Sequence, residues 1–127
     1  MFYQIIHYIK FLFKSTNQHG VHSPFVYNLV TKCFYDKTTF DAYNNILNYK
    51  KALLKNHTKI QVTDLGAGSQ TMKHQVRRIS EMAKNAGATN KSAKLLYRLS
   101  NYFKFETILE LGTSLGVSAY ALSLGNP

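Results

Sequence analysis

Cysteine occurs once in the chain, at Cys33, so no internal disulfide can form, and there is neither a pair of metal-type cysteines nor a secretory cysteine framework. The expected setting is reducing and cytoplasmic. Long apolar runs are missing too. The stretch from Phe2 to Phe13 is broken by Gln4, His7 and Lys10 and falls short of the roughly 20 residues that span a bilayer, so no membrane span is expected. It lacks the basic start and small-residue cleavage site of a signal peptide. Its spacing predicts instead an amphipathic helix with Phe2, Ile5, Ile6, Ile9, Leu12 and Phe13 on one face. Acidic residues are scarce, 6 against 16 basic ones, for a net charge of +10. The excess is confined to residues 1–105, because residues 106–127 hold two acids and no base. Such a surface attracts nucleic acid, anionic lipid or an acidic substrate, but it speaks to encounter and solubility rather than to fold or chemistry.

What is present is a globular composition, with 45% hydrophobic and 13% aromatic residues over 127 positions. At this length one chain buries roughly two-thirds of its unfolded surface and needs no disulfide or metal to hold a core. Lys14 to His22 is polar and reads as a loop. Ser23-Pro24 is a start signal, the hydroxyl accepting an orphan amide and proline requiring none, and predicts a helix over 24–35. Asp41 could cap a third helix carrying Ile46, Leu47, Tyr49, Leu53 and Leu54 and ending near Asn56. From Thr58 the pattern alternates, with Ile60 and Val62 on one side, which predicts a short strand near 58–63. Val76, Ile79, Met82, Ala83 and Ala86 recur at helical spacing up to a stop at Gly87. Asn90 can cap a helix bearing Ala93, Leu95, Leu96, Leu99 and Phe103. Residues 107–111 read as a buried strand entering the turn Gly112-Thr113-Ser114-Leu115-Gly116 and an apolar helix from Val117 to Leu124. The expected organisation is a basic, mainly helical region 1–105 followed by a distinct unit over 106–127.

A strand that ends in an acid and turns through spaced glycines into a helix is how Rossmann-like folds let a cofactor approach the backbone. Gly112 permits the tight turn and Gly116 close helix packing, while Ser114 stands where the middle glycine of a dinucleotide fingerprint would fall and disfavours a pyrophosphate cradle. The run from Ile108 to Ser118, I-L-E-L-G-T-S-L-G-V-S, resembles motif I of class I S-adenosylmethionine-dependent methyltransferases in their O-methyltransferase-like form. His19 to Tyr27 and Asp64 to Ser69 resemble the N-terminal extension of a group of bacterial methyltransferase-like proteins. The resemblance implies an α/β fold, a helical N-terminal region followed by the first strand, turn and helix of a Rossmann-like domain. It also implies S-adenosyl-L-methionine as cofactor, with Glu110, Gly112, Thr113, Ser114 and Gly116 as contact residues and methyl transfer to an oxygen or nitrogen of a small-molecule substrate. The family's later strands, its second acidic residue and its catalytic residues have no counterpart here. The implied object is therefore the front part of such an enzyme, inactive by itself and prone to self-association through uncovered apolar surface.

Three further features compete. Val62-Thr63-Asp64-Leu65-Gly66-Ala67-Gly68-Ser69 is a second strand, acid and G-x-G pattern. The helix after it, Gln70 to Arg78, is largely polar, whereas Leu115 to Leu124 is almost wholly apolar, so the later turn is favoured and the earlier one reads as a surface turn. Residues 79–102 fit a helix-turn-helix, which makes a small basic DNA-binding or interaction module the alternative function. It would present Thr89, Asn90, Lys91, Ser92 and Lys94 to a major groove, with Arg77, Arg78, Lys84 and Arg98 for phosphates. His19 and His22 flank Gly20-Val21 without a cysteine or carboxylate close by, so no metal site is assigned. Phe11, Phe13, Phe25, Phe34 and Tyr35 fall at helical spacing with aliphatic residues and read as core, and Cys33 as buried and inert.

Overall fold

The computed structural model describes residues 2–15, 18–63 and 75–126. Its chain divides into two units, residues 1–37 and 38–127. In the first, α1 (Phe2–Lys14) is closed by Ser15, whose N–H and hydroxyl donate to the carbonyls of Phe11 and Leu12. None of its residues is buried. After a single 3-10 turn (Gln18–Gly20), α2 (Pro24–Leu29) starts as the sequence predicts: the Ser23 hydroxyl accepts the Val26 N–H at 3.4 Å and Pro24 takes the first position. The helix continues as a π-turn, Val30–Phe34, in which the Tyr35 N–H reaches back to the Val30 carbonyl. Cys33 lies buried in that turn, whereas Phe11, Phe13, Phe25, Phe34 and Tyr35, which read as core in the sequence, are all exposed, from 41% at Phe34 to 89% at Phe13.

The second unit holds α3 (Ala42–Lys55), β1 (Lys59–Gln61), β2 (Val76–Arg78), α4 (Ile79–Asn85), α5 (Asn90–Phe103) and α6 (Val117–Gly125). The described chain is thus mostly helical with one small antiparallel sheet, in the register Lys59 to Arg78, Ile60 to Arg77 and Gln61 to Val76. The core joins Tyr43 and Ile46 of α3, Ala93 and Tyr97 of α5, and Val117 and Ala121 of α6. Full burial of Ile46 contributes on the order of 2 kcal/mol. Helix α5 buries Ala93, Tyr97 and Ser100, and α6 buries Val117, Ala121 and Gly125, spacings of three and four that put each set on one face. The small members of the two sets, Ala93 and Ser100 facing Ala121 and Gly125, let the two backbones approach. A Cβ at Gly125 would stand 2.4 Å from the Tyr97 carbonyl oxygen and 2.8 Å from the Ser100 Cβ. The Ser100 hydroxyl is satisfied by the Leu122 carbonyl at 2.8 Å. Phe40, Tyr43 and Tyr97 pack edge-on or tilted at centroid distances of 5.0–5.5 Å, the offset geometry that aromatic quadrupoles prefer.

Several sequence expectations are corrected. Val76 does not open a helix: residues 76–78 pair with β1, and α4 begins only at Ile79. Thr89, not Asn90, caps α5, its hydroxyl accepting the Ser92 N–H at 3.1 Å. Gly87 follows α4 as expected, but the requirement is space, since a Cβ there would meet the Ala83 carbonyl oxygen at 3.0 Å. Residues 107–111 form no strand; they pair with nothing among the described residues, and Leu109 and Leu111 are 81% and 86% exposed. Apolar composition there is not matched by a ladder, and extended backbone becomes a strand only with a partner. The expected boundary at 105/106 falls inside the second unit, between α5 and α6, which pack on each other more extensively than any other pair of elements.

Candidate functional site

The turn between residue 110 and α6 is shaped by two glycines on left-handed backbone, Gly112 at φ +79° and Gly116 at φ +72°. L side chains rarely adopt this region, so the pattern G-x-x-x-G is a conformational requirement here. Over Gly112 the space is open, with nothing within 4 Å of where a Cβ would stand. Gly116 occupies the position before α6, and its carbonyl accepts the Tyr120 N–H at 2.9 Å. The turn is tied down at two points. The Tyr49 hydroxyl of α3 donates to the Leu115 carbonyl at 2.9 Å, and the Thr113 hydroxyl donates to Glu110 Oε2 at 2.9 Å.

This turn forms one wall of a cavity of about 550 Å³, within the range of small-ligand sites. Gly112, Thr113, Ser114 and Leu115 line it from one side. The end of β1 and the residues after it, Ile60 to Thr63, line it from another, and Arg77 of β2 with Met82 of α4 and Ala86, the residue that caps that helix, complete it. The lining divides by chemistry. Ile60, Val62, Met82 and Leu115 offer apolar surface to a flat ring or a hydrocarbon stem. Thr63, Thr113 and Ser114 offer hydroxyls, Gln61 an amide, and Arg77 a guanidinium able to meet a carboxylate or phosphate.

Of the five residues expected at a cofactor turn, Gly112, Thr113 and Ser114 line the cavity. Glu110 and Gly116 are not in its wall, and they hold the turn through the Thr113 hydroxyl and the α6 start. Sequence reasoning missed the opposite wall. In the sequence Arg77 reads as a contact for DNA phosphates, Ile60 as one side of a short strand and Met82 as part of a helical repeat. The signal available was the alternation that brings a β-strand to its end at Val62-Thr63, just before the second acid-glycine pattern. Residues 64–69 of that pattern lie outside the described residues.

Thr89, Asn90, Lys91 and Ser92, at the start of α5 in the helix-turn-helix reading, are exposed. Thr89 and Ser92 bond to each other at 2.8 Å as part of the α5 cap. Lys94 lies over the Tyr43 ring, 4.8 Å from its centroid, and Arg98 Nη1 donates to the Tyr43 hydroxyl at 3.3 Å. Arg78 lies 4.0 Å from Glu81. Lys84 and Lys91 face a separate cavity of about 480 Å³ together with Lys50 and Lys51, and Lys50 donates to the Ala88 carbonyl. His19 and His22 are exposed, and among the described residues no three His, Cys, Asp or Glu side chains converge as a metal site. His57 has Nδ1 at 3.4 Å from the Ser80 hydroxyl. No family model, no curated protein and no solved structure matches the chain.

Proposed function

We propose that this chain carries the first cofactor loop of an S-adenosylmethionine-dependent methyltransferase, and that the 550 Å³ cavity receives the cofactor. The observation that carries the reading is the coincidence of sequence and geometry at one place. The residues whose pattern resembles motif I, Gly112, Thr113 and Ser114, are those that line the cavity, on backbone that two positive-φ glycines hold open. The donor set suits such a ligand: hydroxyls and an amide for ribose and adenine, apolar side chains for the purine faces, and Arg77 for the amino-acid carboxylate. When bound, the cofactor supplies a sulfonium methyl, which an acceptor oxygen or nitrogen displaces in line as the carbon–sulfur bond breaks and sulfur leaves as a neutral thioether. The chain's own part in that step is to hold and orient. The groove-reading alternative has less support, because Lys94 and Arg98 are engaged by Tyr43.

Titration calorimetry with S-adenosylhomocysteine tests the proposal. The expected result is saturable binding at one site, lost on Ser114→Phe, which fills the cavity from an exposed position and leaves the melting temperature unchanged. Absence of binding to the unsubstituted chain, or binding that Ser114→Phe does not weaken, overturns it.

A further inference from the structure

Helix α1 exposes more apolar surface than any other element. Its six-residue apolar set ranges from 46% exposed at Ile9 to 89% at Phe13, and nothing in the helix is buried. Contiguous apolar surface of this kind on a basic chain calls for a partner. At about 100° per residue, Leu12, Ile5, Ile9, Phe2, Phe13 and Ile6 fall within an arc of roughly 120° that runs the length of the helix. Tyr8 borders the arc on one side, and Lys10 and Tyr3 on the other. Lys14, His7 and Gln4 stand on the opposite side, together with one aromatic, Phe11, which is 62% exposed. At about 1.5 Å per residue, the 13 residues of α1 reach roughly 20 Å, well short of a hydrocarbon core of about 30 Å. No described helix is long and apolar enough to cross a membrane.

We propose that α1 lies in the plane of an anionic lipid surface, its apolar arc among the acyl chains and its lysines among the headgroup phosphates. Charge selects this occupant. The first acid of the sequence is Asp36, so the 35 residues before it carry Lys10, Lys14 and Lys32 with no carboxylate to oppose an anionic surface. A second copy of a chain with net charge +10 would bring like charges together instead. Phenols bordering an aliphatic stripe suit the same place, because a tyrosine ring packs against chains while its hydroxyl stays in the headgroup layer. The mode of attachment combines a moderate apolar face with a few cations, and so is reversible and dependent on lipid composition.

Co-sedimentation of the full chain with vesicles tests this. Vesicles of phosphatidylcholine with one-third phosphatidylserine are expected to bind at least tenfold more protein than phosphatidylcholine alone, with the difference shrinking as salt rises. Lys10→Gln with Lys14→Gln is expected to reduce the preference for phosphatidylserine, and to reduce it more than Lys51→Gln with Lys55→Gln in the second unit does. Ile5→Gln with Ile9→Gln is expected to reduce binding at least tenfold without moving the melting temperature, since both side chains are exposed. The chain has no tryptophan, so Phe13→Trp gives a background-free reporter whose emission moves to the blue on insertion. Failure to sediment with the anionic vesicles overturns the proposal, as does binding indifferent to the Ile5 and Ile9 substitutions. So does a dimer in solution that those substitutions dissociate and that ignores vesicles, which would assign the face to a second copy.

Discussion

Tyr97 is buried against Phe40 and Tyr43, and its phenol is pushed above the ordinary tyrosine range, first by desolvation and then by the nearness of Tyr43 and Asp41. The folded state therefore holds this proton to higher pH than the unfolded chain does. Below about pH 10 both states are protonated and the stabilisation is fully present; it is lost as pH rises from there through the folded-state value. Comparing urea midpoints at pH 9 and pH 11 should show a smaller fall for Tyr97→Phe than for the unsubstituted chain, and equal falls would mean that the residue does not couple. Gly125 makes a different residue-level demand. Its Cα faces the Tyr97 carbonyl so closely that Gly125→Ala must separate α5 from α6. The expected cost is about 1–3 kcal/mol by denaturant melting. A neutral result would show that the α6 end yields without cost.

At the level of elements, what was legible in the sequence was local. Helix α5 spans Asn90–Phe103 as its apolar period indicated, and the Ser23-Pro24 signal starts α2 where it should, because capping chemistry and helical periodicity act within a few residues. The glycine turn was legible for the same reason: left-handed backbone writes glycine into the sequence. Strand β2 was not legible, since its three residues are extended only through pairing with β1, and that contact is set by tertiary structure. Residues 107–111 show the reverse error, a run with strand composition and no ladder. The cavity was half legible. Its wall of Gly112, Thr113 and Ser114 follows from a motif, while Ile60, Arg77 and Met82 arrive opposite it through the packing of α4 on α3 and the β1–β2 register. Tyr97 and Ser100, missed as core, carry hydroxyls that composition-based reading counts as polar.

For the whole molecule, burial is concentrated where α3, α5 and α6 meet, whereas α1 buries nothing. Local opening free energy follows buried contact, so among the described helices hydrogen exchange should be slowest for the facing amides of α5 and α6 and fastest in α1. Mass spectrometry of exchanged peptides would read the order directly, and equal protection of α1 and α5 would contradict it. The positive-φ turn has a consequence at one further scale, that of the coding sequence. Every glycine codon begins with two guanines, and a change in either one at Gly112 or Gly116 puts a Cβ on left-handed backbone or ends the chain. Asparagine, among the side chains that best tolerate that conformation, lies at least two base changes away, and aspartate lies one change from two of the four glycine codons. Drift by single steps therefore meets a barrier at these two positions in every direction but aspartate, whereas the third base of each codon is free to vary.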